Sequence, residues 1–191
     1  MKNDFEQIAG WLPKAQAQVL HDYALLSPIP NYLEIGTFAG RSASIIANVA
    51  KDRNGFVICV DFFMRNHKLW GTDRIIPDVL IEFRENMDKL GLSDNVIAIK
   101  GNTDAILPMI DGKFGMIYVD GGHVEKYLNQ NLEWAYQHTV EGGYIICHDY
   151  GNIDWPDVKR CVDAFVAFNH LKIDKQVSVY PKAGSIVVIK R

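Results

Sequence analysis

Residues 32–44 read YLEIGTFAGRSAS, and the rest of the chain is organised around them. The apolar start suits a buried strand, Gly36 and Gly40 open a tight turn, and residues 42–50 wind directly into a helix. Gly36 reaches backbone angles that side chains forbid, and without a Cβ at Gly36 or Gly40 a bound molecule comes close to the main chain. The unpaired amides of the helix's first turn add partial positive charge, which suits a carboxylate or a phosphate. An ordinary strand-to-helix turn has the same outline, so the flanking sequence has to decide between them.

Upstream, Phe5, Ile8, Leu12, Val19, Leu20, Tyr23 and Leu26 recur at helical spacing, with Pro13 placed to end one helix or begin the next. Two short helices, or one broken helix, are therefore expected before a proline-bearing linker at 27–31. Downstream, 56–60 reads FVICV, rich in β-branched residues, and predicts a second strand buried on both faces. Residues 62–76 lack periodicity and predict a long loop over a cleft mouth, with a helix from Pro77 to Gly91 after it. Further strands are expected at 96–100, 115–119 and 144–148, with a short helix at 105–110 and a longer one at 124–138 between them. In the longer helix Tyr127, Leu128, Leu132, Ala135 and Tyr136 are expected to face inward, and Gly142–Gly143 to act as a stop. A helix at 156–168 and strands at 177–180 and 185–189, joined by PKAG, complete the pattern.

Strands alternating with helices predict an α/β fold: a Rossmann-like, mostly parallel seven-stranded sheet with helices on both faces and a C-terminal antiparallel hairpin. One domain over 1–191 is expected, with a helical cap at 1–30, a cofactor-binding core at 31–150 and a C-terminal helix and hairpin at 151–191.

Composition narrows the function. Apolar residues at 48% and charged residues at 23% exclude a long disordered chain. A net charge of −3 with scattered Lys and Arg gives no polybasic surface, so no nucleic-acid partner is expected. With neither a membrane-length apolar run nor a secretion signal in MKNDFEQ, a cytoplasmic protein without a membrane partner is expected. Cys59, Cys147 and Cys161 fall in apolar patterns without CxxC spacing, the habit of buried thiols in a reducing compartment.

In a sheet of this kind ligands bind beyond the carboxyl ends of the strands, near the switch in strand order. Those ends carry Glu34 with Gly36, then Asp61, then Asn102 with Thr103, then Asp120, then His148 with Asp149. An acid after the second strand is the expected partner of a glycine loop after the first, because a carboxylate accepts both hydroxyls of a ribose. The loop order G-T-F-A-G lacks the third glycine of a dinucleotide fingerprint, which counts against a nicotinamide-dependent oxidoreductase.

The ordered pieces LEIGTFAGRSA, VICVDFF, IAIKGNTDAI, IYVDGGHVEKY and EGGYIICHDY span most of 32–150. Together they resemble the class I S-adenosylmethionine-dependent methyltransferases, and within them small O-methyltransferases of the catechol and macrolide-sugar type. The resemblance implies that Gly36, Thr37, Phe38 and Gly40 line the methionine part of the cofactor. Ser42 and its helix N-terminus would receive the carboxylate, Glu34 would anchor the loop or the amino group, and Asp61 would hold the ribose. Phe62, Asn102 and Thr103 would sit at the adenine, with Asp120 completing the site.

Methyl transfer to oxygen requires a hydroxyl that is positioned and deprotonated. In catechol-type relatives a divalent cation such as magnesium does this, and Asp120 and Asp149 match its acids. Where those relatives carry a further amide or acid ligand beside the second acid, this chain has His148 before Asp149 and Tyr150 after it. The second device is His123, at the position of a basic catalytic residue in the relatives; imidazole titrates near neutrality. His123, Asp149 and His148 are thus the candidate catalytic residues, with Trp70, Tyr150 and Trp155 as candidate walls of an acceptor pocket. The expected reaction is methylation of a small-molecule hydroxyl, a sugar or a phenol. The apolar N-terminal helices and C-terminal hairpin are the candidate surfaces for a homo-oligomer. A domain that keeps the fold only for binding or assembly is the non-enzymatic alternative.

Overall fold

A computed structural model describes residues 3–64, 78–179 and 184–191. Its seven strands are β1 (Asn31–Ile35), β2 (Phe56–Asp61), β3 (Val96–Lys100), β4 (Phe114–Val119), β5 (Thr139–Tyr150), β6 (Lys172–Ser178) and β7 (Ser185–Lys190). The described helices are α1 (Lys14–Leu26), α2 (Arg41–Asp52), α3 (Val79–Lys89), α4 (Thr103–Ile106), α5 (Glu125–His138) and α6 (Pro156–Phe168), with shorter 3-10 turns between.

The sheet runs β3-β2-β1-β4-β5-β7-β6. The first five strands are parallel, and β7 lies antiparallel between β5 and β6, so the expected mixed architecture is present. Strand order reverses between β1 and β4, where Ile35 pairs with Val119. That register sets Gly36 beside Asp120 at the carboxyl edge.

Alternation along the strands divides the core. Leu33, Ile35, Ile117 and Val119 pack with Leu128, Leu132, Val162 and Phe165 of α5 and α6. Tyr32, Met116 and Tyr118 face the other way, toward the N-terminal segment, α1, α2 and α3. Glu34 shares this second face through the two-residue period and is wholly buried. On α2 the apolar residues Ile45, Ile46, Val49 and Ala50 are buried, which fixes the helix over β1.

Two arginines bind the N-terminal segment to this body. Arg41 donates to the carbonyls of Ile8, Gly10 and Glu6. Arg53 donates to the carbonyls of Ala24 and Ser27 and to the Tyr32 hydroxyl.

Several expectations are corrected. The sixth strand spans Lys172–Ser178 rather than 177–180, because Lys172, Asp174 and Lys175 form an exposed sheet edge whose polarity conceals a strand. Gly142–Gly143 does not stop anything: β5 runs through the pair, whose amide and carbonyl bond Arg191. The short helix is Thr103–Ile106 followed by a 3-10 turn at Leu107–Met109. On α5 Tyr127 is exposed and Tyr136 only partly buried, while Asn131 is buried and donates to the Gly121 carbonyl. The third helix begins at Val79 with Asp78 as its cap. The expected loop from residue 65 onward, with His67, Trp70, Gly71 and Pro77, lies outside the described residues, as do Tyr180 and most of the PKAG turn. All three cysteines are buried and free. Among the described residues no helix is long and apolar enough to cross a membrane.

Candidate active site

The glycine loop is built by close backbone approach. Gly36 has φ +87°, and a Cβ there would fall 2.3 Å from the Asp120 carbonyl oxygen. The amide of Asp120 donates to Ile35 and that of Gly36 to Val60, so three strand ends are stitched together. Gly40, with φ +94°, precedes α2 and no side chain caps the helix. Its first-turn amides form the electropositive end expected from the sequence.

Glu34 accepts hydrogen bonds from the hydroxyls of Thr37 and Ser42. Burial raises its carboxyl to about 8 against the lowering effect of those two donors. Of the two roles implied for Glu34, the structure supports the loop anchor. Ser42 turns its hydroxyl to Glu34, which leaves anion binding at this helix to backbone amides rather than to Ser42 Oγ.

Asp61 accepts from the amides of Thr37 at 2.7 Å, Phe38 at 2.8 Å and Phe63 at 2.5 Å. It is therefore the brace of the glycine loop: Oδ2 takes the Thr37 and Phe38 amides, and Oδ1, with the Phe63 amide alone, keeps a lone pair for a further donor on a partly exposed residue. Phe62 at the end of β2 is 53% exposed, whereas Phe63 is buried against Phe83. Phe38 has φ +51° and lies 5.7 Å from Trp11. Asn102 is exposed and caps α4 by accepting from Asp104, with Thr103 partly buried next to it.

The other half of the edge holds the acids. His123 Nε2 lies 3.0 Å from Asp149 Oδ2, and its ring stacks on Trp155 at 4.6 Å and 23°. Asp149 adopts φ +56°, a left-handed turn that Asp tolerates, and Asn152 donates to its Oδ1 at 2.7 Å. Burial alone would raise the Asp149 carboxyl, but donors on His123, His148 and Asn152 hold it well below the carboxylate range.

His148 sits behind this pair, 9% exposed. Its Nδ1 lies 3.2 Å from Asp120 Oδ1 and 3.4 Å from Asp149 Oδ2, and its Nε2 lies 2.9 Å from Gln16 Oε1. Burial would lower its pKa, yet the two carboxylates outweigh that and push it up to about 10. Tyr118 donates to Asp120 Oδ2 at 3.2 Å. Its phenol is pushed well above the usual range by burial and then by Asp120, which keeps it a donor.

Sequence reading thus brings Asp120, His123, His148 and Asp149 to one place but misses Gln16, Tyr118 and Asn152. Gln16 left one signal: it is a polar residue at the helical spacing of Val19, Leu20 and Tyr23, the apolar stripe of α1, and is itself buried. Single ligand atoms of Asp120, His123 and Asp149 all lie within 4.8 Å of one another, a spacing compatible with a metal ion. Tyr150, a suggested pocket wall, is buried and bonds Asp163.

The strand order, with a glycine loop, an uncapped helix and strand-end acids gathered on one edge, is the class I methyltransferase architecture. Residues 33–150 match the family described as "Methyltransferase domain", and the chain belongs to that family. Among curated proteins it resembles "Uncharacterized protein R132" of Acanthamoeba polyphaga mimivirus, 26% identical over 147 residues. That match covers 71% of this chain but only 59% of the viral protein. Solved structures share the fold at low identity. An O-methyltransferase from Bacillus cereus in complex with SAH superposes with a TM-score of 0.78 at 17% identity, covering 99% of this chain and 90% of that one. TomG from Streptomyces achromogenes, an O-methyltransferase of tomaymycin synthesis in complex with SAM, gives 0.75 at 17%, covering 100% and 90%.

Proposed function

We propose that the chain transfers a methyl group from S-adenosylmethionine to a hydroxyl oxygen of a small molecule such as a sugar or a phenol, with His123 as general base. The observation that carries this is the His123–Asp149 pair at 3.0 Å on the edge that also bears the glycine loop.

The residues fit the cofactor by their chemistry. The uncapped amides of α2 suit its carboxylate, the remaining lone pair on Asp61 Oδ1 suits a ribose hydroxyl, and the exposed ring of Phe62 suits one adenine face. When bound, the cofactor supplies a methyl group made electrophilic by a sulfonium. Everything else falls to the protein. Asp149, held ionised, accepts from His123 Nε2, and this assigns the proton to Nε2 and the lone pair to Nδ1. His123 Nδ1 then takes the hydroxyl proton as the oxygen attacks, and Asp149 stabilises the imidazolium that results. Trp155, stacked on the ring, holds it in one orientation.

Replacing His123 with alanine should lower kcat by about 10²–10⁴-fold, the usual worth of a general base, while S-adenosylhomocysteine affinity stays near wild type. Unchanged turnover in His123→Ala would end its role as base.

A further inference from the structure

We propose that His148 is the built-in counter-ion of the Asp120–Asp149 pair, so that this site works without the divalent cation implied by the resemblance to catechol-type enzymes. The inference rests on the methyltransferase reading for its chemistry and on hydrogen-bond geometry for its evidence. The spacing of Asp120, His123 and Asp149 would admit an ion, so the question is whether their donor atoms are free to bind one.

They are engaged. Asp120 Oδ1 faces His148 Nδ1, and Asp120 Oδ2 accepts from Tyr118. Asp149 Oδ2 faces both His123 Nε2 and His148 Nδ1, and Asp149 Oδ1 accepts from Asn152. Every carboxylate oxygen of the pair thus has a protein donor. His123 Nε2 is likewise turned to Asp149, which leaves His123 a single nitrogen, Nδ1, to offer an ion. An oxygen-loving cation wants several oxygen ligands, and beside Asp149 the chain supplies no further amide or acid: His148 before it offers an N–H, and the Tyr150 hydroxyl after it is bonded to Asp163.

The Gln16 amide fixes what that imidazole presents. Its Nε2 donates to the Val177 carbonyl, which turns Oε1 toward His148 Nε2. His148 Nε2 therefore carries a hydrogen, while Nδ1 points between two carboxylate oxygens where a lone pair would be repelled. A ring that donates from both nitrogens is a cation, and it stands between the acids where an ion would otherwise balance them. Gln16 comes from α1, outside the matched span 33–150, so the N-terminal segment supplies part of the site.

The test is calorimetric titration of Mg²⁺ and Mn²⁺ into the full-length protein, with and without S-adenosylhomocysteine, alongside His148→Asn and His148→Asp. Wild type should give no saturable metal binding up to about 10 mM, beyond the ~10⁻³ M of the weakest protein calcium sites. Either variant should gain saturable binding and a metal-dependent rise in Tm, because the acids have lost their internal cation and gained an oxygen ligand. Saturable binding by wild type would overturn the proposal, and so would two folded variants that both ignore the metal. If both variants fail to fold, the wild-type titration decides. Failure of S-adenosylhomocysteine to bind would count against the methyltransferase reading alone, since the metal result is also read without it.

Discussion

Glu34 shows how one buried side chain ties the loop to the pH of the solution. Its carboxyl, raised to about 8 by burial, holds its proton more tightly in the folded chain than in the unfolded one, where glutamate titrates near 4.5. Its contribution to stability is therefore complete below pH 4.5 and is lost as pH rises toward and through 8. In Glu34→Gln the amide cannot ionise, so the fall in Tm between pH 5 and 8 should be shallower than in wild type, as thermal melts across that range would measure. Parallel slopes would mean that Glu34 is ionised in the folded protein. Glu34 was legible as a polar residue in an apolar strand, but its partners were not. Whether a strand-end acid faces the ligand or the loop depends on which hydroxyls the turn brings within reach, and here Thr37 and Ser42 claim it.

The loop after β1 and the loop after β4 behave as one element because their backbones touch. Gly36→Ala would force a Cβ against the Asp120 carbonyl carbon and oxygen, at 2.6 and 2.3 Å, in a conformation with φ +87°. The expected loss is at least about 1 kcal/mol of stability, from strain at a positive φ and from overpacking, read as a lower midpoint in urea unfolding. An unchanged midpoint would show that the two loops are free to separate. The elements most legible in the sequence were β1 and β4, whose apolar runs are buried on both faces, and β2, which forms as expected although Phe56 and Ile58 on one of its faces are only partly buried. The least legible was β6, where Lys172, Asp174 and Lys175 guard an edge and mimic a loop. A residue pattern reports burial, and an exposed edge strand has little of it to report.

Across the whole molecule, the N-terminal segment is fastened to the cofactor edge by Arg41, which begins α2 and donates to carbonyls of residues 6, 8 and 10. Arg41→Ala should remove up to about 3 kcal/mol per lost charge-assisted bond from local stability, seen as faster amide exchange in residues 5–12 with the sheet unchanged. Unchanged exchange there would assign the attachment to apolar packing alone. This long-range wiring is what sequence reading could not reach. The Gln16–His148 contact joins residues 132 apart, and no local pattern encodes which polar side chain on α1 will meet which strand end. What the sequence did carry was the set of strand-end residues, since a parallel sheet delivers them to one edge whatever the helices do. The claim that this edge holds an adenosyl cofactor is tested most directly by calorimetry with S-adenosylhomocysteine and, separately, NAD⁺, on wild type and Asp61→Ala. The account predicts saturable S-adenosylhomocysteine binding, weakened by about 1–3 kcal/mol in Asp61→Ala, and no binding of NAD⁺. A folded wild-type protein that ignores S-adenosylhomocysteine, or that binds NAD⁺ in its place, would contradict it.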